Sequence, residues 1–137
     1  MITIDEYVGV HKSSHDWNGA CQHAAEILLD KVNSLIDEYV SKGGEIEINP
    51  KTSSQISGEI YGGFRPQNCP IGASHSSHKL GMGVDIYDPH NAFDDWIDKH
   101  SEVLVKYDLY RENPVATLTW VHLSTKRPLS GRHTFLP

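Results

Sequence analysis

The sequence predicts an α+β domain, with two main helices packed on one face of a small, mainly antiparallel sheet. Apolar residues recur at three- and four-residue steps over 18–41 and again over 91–107, and each run forms a single apolar stripe. Short apolar–polar alternations stand at 45–48, 84–88 and 118–123, the pattern of half-buried strands. The 137 residues carry no repeat and no linker and are long enough for a real core, so 1–137 reads as one domain.

Residues 1–17 are short and mixed. Tyr7, Val8 and Val10 are apolar, Trp17 is expected to pack onto the domain, and His11 and His15 read as solvated. In the first helix the stripe is Ala20, Ala24, Ile27, Leu28, Val32, Leu35, Ile36 and Tyr39. Asp16 or Asn18 can cap its start, and Gly43-Gly44 end it. Glu45-Ile46-Glu47-Ile48 alternates as a strand that Asn49-Pro50 stops. A second extended segment, 55–64, rests on Ile56, Ile60 and Phe64, and Gly62-Gly63-Phe64-Arg65-Pro66 then turns the chain.

Residues 66–83 form a long loop rich in Pro, Gly, Ser and Asn, and such a length inside a small domain points to function or disorder. The strand 84–88 follows. The second helix, 91–107, turns Phe93, Trp96, Ile97, Val103, Leu104 and Tyr107 inward and takes Asn91 as its cap. Leu109-Tyr110-Arg111 reads as a short strand, and Glu112-Asn113-Pro114 turns toward the strand 118–123. The tail from Ser124 to Pro137 is expected to pack back as an irregular extended segment.

The net charge of −6 argues against nucleic acid or an anionic membrane as partner. It leaves an anionic substrate open, because a bound cation and an arginine reverse the sign locally. Met1 to Glu6 lacks the basic-then-apolar pattern of a signal peptide, and no stretch is long enough to span a bilayer. Synthesis in the cytoplasm and a monomeric state are the expectations. Cys21 and Cys69 show no metal-type spacing and read as free thiols.

Chemistry concentrates on three residues. His78 and Asp85 stand seven apart with Gly81 and Gly83 between them. His122 lies in the strand 118–123 and points away from Val121 and Leu123. Two imidazoles and one carboxylate, from a loop and two strands, suit a catalytic zinc with an open fourth position. The glycines let the loop turn tightly enough for His78 and Asp85 to face one ion. A carboxylate among apolar neighbours is costly unless it is paired or bound to metal, and a salt bridge to Arg65 is the competing explanation of Asp85. Arg65 itself reads either as a carboxylate clamp or as a surface arginine before a proline turn.

The segment Ser76-Ser77-His78-Lys79-Leu80-Gly81-Met82-Gly83-Val84-Asp85-Ile86 resembles the Ser-x-His-x-x-Gly-x-Ala-x-Asp motif of the zinc D-Ala-D-Ala carboxypeptidase superfamily. That group includes D-alanyl-D-alanine dipeptidases and carboxypeptidases, phage L-alanyl-D-glutamate endolysins and the fold of hedgehog signalling domains. Trp120-Val121-His122 resembles its second metal motif, and Gly62-Gly63-Phe64-Arg65-Pro66 its Ser-Gly-Tyr-Arg segment. The likeness spans about residues 53–124, and the fold expectation leans on it more than on periodicity.

The resemblance implies a hedgehog/D-Ala-D-Ala peptidase-like fold with zinc on the sheet face away from the helices. His78, Asp85 and His122 would bind the zinc, and Ser76 and Arg65 would hold the peptide's carbonyl or carboxylate. The implied activity is hydrolysis of peptidoglycan stem peptides, of D-Ala-D-Ala carboxypeptidase or phage endolysin type. The protein would act at the cell wall after phage release or export by other means. Two departures stand out. Many members carry an acid three residues before the last histidine, where this chain has Thr119, so Glu112 is assigned as the catalytic base. The same departure raises the alternative of a non-catalytic metal-binding cell-wall or phage structural module. Gly83 replaces the usual alanine, a change expected to be harmless.

Overall fold

The computed structural model describes residues 1–73 and 75–137. The chain opens with a helix the sequence pattern did not announce, α1, Ile4–Val8. Thr3 and Glu6 close a reciprocal capping box at its start, which satisfies the first free N–H groups of so short a helix. Its Tyr7 and Val8 are buried, and Trp17 packs on Phe64 with ring centroids 4.9 Å apart.

α2 spans Gly19–Ser41, with the Asn18 side chain accepting from the Cys21 N–H at 3.0 Å. Its buried stripe is Ala25, Leu28, Leu29, Val32, Leu35, Ile36 and Tyr39. The first two turns are therefore rotated from the expected stripe: Ala20 is exposed and Ile27 is 44% exposed, while Ala25 and Leu29 face the core. Gly44 sits under the Tyr39 ring, where an added Cβ would lie 2.2 Å from a ring carbon.

Residues 45–48 form no strand. Ile46 is buried but Ile48 is 57% exposed, and the segment finds no ladder partner. An alternating pattern becomes a strand only where a neighbour completes its backbone hydrogen bonds. The chain instead wraps tightly around buried Asn49, whose Nδ2 donates to the Ile56 and Ser57 carbonyls at 3.3 and 2.8 Å. The expected extended segment 55–64 shrinks to a short run along the edge of β1, Gly83–Tyr87. There Ile56 bridges Ile86, and the Ser57 N–H donates to the Asp85 carbonyl at 2.9 Å. Ile60 lies exposed.

The predicted helix 91–107 is two helices, α3, Ala92–Lys99, and α4, Glu102–Tyr107, parted at His100 and Ser101. His100 leaves helical geometry and its Nδ1 hydrogen-bonds the Trp96 carbonyl at 2.9 Å. Asn91 makes no side-chain cap. Asp88 does that work instead, accepting from the Phe93 and Asp94 N–H groups at 3.1 and 3.0 Å.

The sheet has four strands in the order β1-β3-β2-β4. β3, Trp120–Ser124, runs antiparallel to β1 and to β2, Tyr110–Glu112. β4, Thr134–Phe135, runs parallel to β2, so the sheet is mixed and its last strand comes from the tail expected to be irregular. Val84 and Ile86 of β1 and Val121 and Leu123 of β3 join Leu28, Val32, Leu35, Phe93, Ile97 and Leu104 in one core. Each fully buried aliphatic side chain of this kind contributes about 1.5–3 kcal/mol. The alternate residues of the same strands point to the other face.

One buried polar cluster lies on the helix side. Arg111 of β2 donates to the Asp94 carbonyl and carboxylate at 3.1 and 3.2 Å and to Asp98 at 2.5 Å, tying β2 to α3. Burial pushes the Asp94 carboxyl up to about 7, helped by the charges of Asp88 and Asp98 and against the pull of Arg111.

Candidate metal centre

The His78 side chain is placed by a single 3₁₀ turn, Ser77–Leu80. Gly81 closes that turn at φ 73°, pressed so near α2 that an added Cβ would lie 2.5 Å from the Cys21 carbonyl. The chain then enters β1 within two residues and delivers Asp85. Asp85 is the direct cross-strand partner of His122.

These three side chains meet. His122 Nδ1 lies 2.8 Å and His78 Nε2 3.2 Å from the same oxygen, Asp85 Oδ1. The imidazole centroids are 5.0 Å apart, and one ligand atom from each residue falls within 4.8 Å of the others. All three side chains are buried. A divalent ion bound at about 2.0–2.2 Å in tetrahedral geometry holds its ligand atoms about 3.3–3.6 Å apart, within the 4.8 Å that bounds this group. The outward nitrogen of His78, Nδ1, is 2.8 Å from the Gly63 carbonyl and donates to it, which turns Nε2 toward the centre. The group can hold a metal ion.

The salt bridge offered for Asp85 is formed, and its carboxylate also faces the two histidines. Its Oδ1 faces the two histidines, and its Oδ2 lies 3.4 Å from Arg65 Nη2. Burial alone would raise the carboxyl, but His78 and the hydrogen bond from His122 outweigh it and hold it well below the usual carboxylate range. Arg65 is no surface residue: it is buried, and its Nε donates to the Tyr61 carbonyl at 2.8 Å.

Glu112 ends β2 on the same sheet face. The β2–β3 register pairs Tyr110 with Ser124 and Arg111 with Leu123, so Glu112 comes next, level with His122. It is half-buried, and burial raises its carboxyl above the usual range, with Asp85 adding to the rise and His122 and His78 opposing it. His78, Asp85, His122, Glu112, Arg65 and Ser76 all line one cavity of about 390 Å³. Thr119 is exposed, and its carbonyl accepts from the Asp88 N–H at 3.1 Å.

Compared with known proteins, the chain matches no family model, no curated protein and no solved structure.

Two residues of the centre escaped the sequence pattern. Lys79, beside His78, is buried, and its ammonium donates to the Gln67, Cys69 and Gly72 carbonyls at 3.1, 2.9 and 3.1 Å. It folds the Pro/Gly-rich loop against the site. The other is Ser77, whose Oγ lies 3.3 Å from His122 Nε2. Ser76 is half-buried at the cavity wall, and its hydroxyl has no hydrogen bond among the described residues. Nothing in the local pattern separates the two serines, since their roles depend on a strand more than forty residues downstream.

Glycine at 83, in place of the usual alanine, fits this chain's own packing. An added Cβ would lie 2.3 Å from Ser77 Oγ and 3.1 Å from His122 Cε1. The space an alanine needs is already taken by the serine hydroxyl. Cys21 and Cys69 are free, as expected.

Proposed function

We propose that this chain is a zinc-dependent peptidase acting on peptidoglycan stem peptides, of D-Ala-D-Ala carboxypeptidase or phage endolysin type. The observation that carries this is the placement of Glu112 beside the His78–Asp85–His122 group, within one open cavity. The ordered likeness of residues 62–66, 76–86 and 120–122 to the zinc D-Ala-D-Ala carboxypeptidase superfamily supplies the substrate class. The cavity wall also carries Lys126 and Arg127, an anion-attracting rim on a chain of net charge −6, which suits a peptide bearing free carboxylates.

His78 Nε2, His122 Nδ1 and Asp85 are the atoms assigned to zinc. When bound there, zinc supplies a Lewis acid that polarises a carbonyl and acidifies water. Glu112, its carboxyl raised by burial, takes the proton of the attacking water and passes it to the leaving amine nitrogen. Ser76 and Arg65 are assigned to the peptide's carbonyl or carboxylate, which fixes the scissile bond before attack. Asp85 Oδ2, 3.4 Å from Arg65 Nη2, holds that guanidinium in place. The protein would act as a monomer at the cell wall.

Two measurements test this together: zinc per chain, and release of stem-peptide fragments from purified peptidoglycan. Wild type is expected to hold one zinc and to cleave, and Glu112→Gln to keep the zinc while losing about 10²–10⁴-fold in rate. A zinc-loaded wild type that cleaves no stem peptide replaces this function with the non-catalytic metal-binding module.

A further inference from the structure

We infer that Ser77 is the positioning residue of His122, and that position 83 is glycine to make room for it. This rests on the proposed metal-binding role of the centre and adds a residue that the motif itself leaves free. His122 aims Nδ1 at the centre, 2.8 Å from the Asp85 oxygen that also faces His78. To ligate a cation, Nδ1 must present its lone pair, so the ring proton must sit on Nε2. A neutral imidazole with no acceptor at Nε2 favours the other tautomer, in which Nδ1–H donates to Asp85 and the ligand position is blocked.

Ser77 Oγ lies 3.3 Å from Nε2, and with a cation on Nδ1 it is the acceptor that the Nε2–H meets. It is to His122 what the Gly63 carbonyl, 2.8 Å from Nδ1, is to His78. Each imidazole thus has its outward nitrogen engaged by an oxygen and its inward nitrogen directed at one point. The hydroxyl is held there by backbone geometry. Ser77 begins the 3₁₀ turn, and its carbonyl accepts from the Met82 N–H at 2.8 Å, which folds the loop back onto the start of β1. Tyr7 clamps the same spot, its hydroxyl donating to the Gly83 carbonyl at 2.9 Å. Gly83 lies on the Asp85 side of β1, and the position its Cβ would take is 2.3 Å from Ser77 Oγ. Serine at 77 and glycine at 83 are one steric unit, and His122 Cε1 forms its third wall at 3.1 Å.

The test measures zinc affinity by competition with a chromophoric chelator, beside urea unfolding of the metal-free chain. Ser77→Ala deletes one oxygen and is expected to leave metal-free stability unchanged while weakening zinc about 10–100-fold. Gly83→Ala is expected to weaken zinc similarly and to destabilise the metal-free chain as well. The double variant Ser77→Gly with Gly83→Ala recovers that stability without recovering the affinity. In ¹⁵N spectra of the zinc-loaded wild type the His122 Nε2 carries the proton, and in Ser77→Ala that signal exchanges faster. Equal zinc affinity in Ser77→Ala and wild type overturns this inference and leaves the proposed function standing. A wild-type chain that takes up no zinc overturns both.

Discussion

Asp85 and His122 face each other across the β1–β3 ladder, with His122 Nδ1 2.8 Å from Asp85 Oδ1. Two of the three candidate ligands are therefore set by strand register rather than by loop conformation. A slip of one residue would send one of them into the apolar core, where Val84, Ile86, Val121 and Leu123 now pack. The burial of those four residues is what holds Asp85 and His122 in register.

Asp85→Asn is expected to abolish stoichiometric zinc uptake. It also leaves the buried Arg65 without its carboxylate, since the two lie 3.4 Å apart and both are buried. Breaking such a pair from one side costs about 3 kcal/mol, so the urea midpoint of the metal-free variant should fall well below wild type. An unchanged midpoint would show that Arg65 does not depend on Asp85.

Asp94 gives the protein a pH-dependent stability away from the metal centre. Its carboxyl is pushed up to about 7 in the fold and lies near 4 in an unfolded chain. Between those values the folded state holds a proton that the unfolded state has released. The contribution of Asp94 is therefore full below about pH 4, falls as pH rises toward 7, and is gone above it. Unfolding midpoints across this range should slope downward in wild type and lose that component in Asp94→Asn.

Lys79→Met tests the loop. The ammonium donates to three carbonyls of residues 67–72, and methionine cannot. Each buried acceptor left without a donor costs about 1–3 kcal/mol, so the loop opens to water while the core remains. Amide hydrogen exchange should accelerate over 66–73 and stay slow in β1 and β3. Uniform exchange across both would reject the local role.

Gly63→Ala probes the clasp on α1. An added Cβ would lie 1.9 Å from the Tyr7 carbonyl oxygen, which also accepts from the Phe64 N–H at 3.0 Å. Backbone on both sides leaves no side chain to move aside. The loss of stability should exceed about 3 kcal/mol, the upper end for ordinary overpacking, as read by thermal or urea unfolding.

Side-chain periodicity was enough to locate α2, the apolar faces of β1 and β3, and the polar positions Asp85 and His122 on the opposite face. These are properties of a single segment: a helix satisfies its own hydrogen bonds, and alternation along a strand assigns each side chain a face. Spacing also singled out His78, Asp85 and His122, which the fold brings to one point. Only the tertiary structure decided which alternating segments became strands, because a strand needs a partner. Glu45–Ile48 found none, whereas the unpatterned Thr134 and Phe135 found the free edge of β2. The same dependence on distant neighbours made Asp88 rather than Asn91 the cap of α3, and gave Lys79 its three carbonyls. It also turned Gly83 from an incidental glycine into space for the Ser77 hydroxyl. Such roles depend on which atoms arrive from elsewhere in the chain, and no local pattern carries that information.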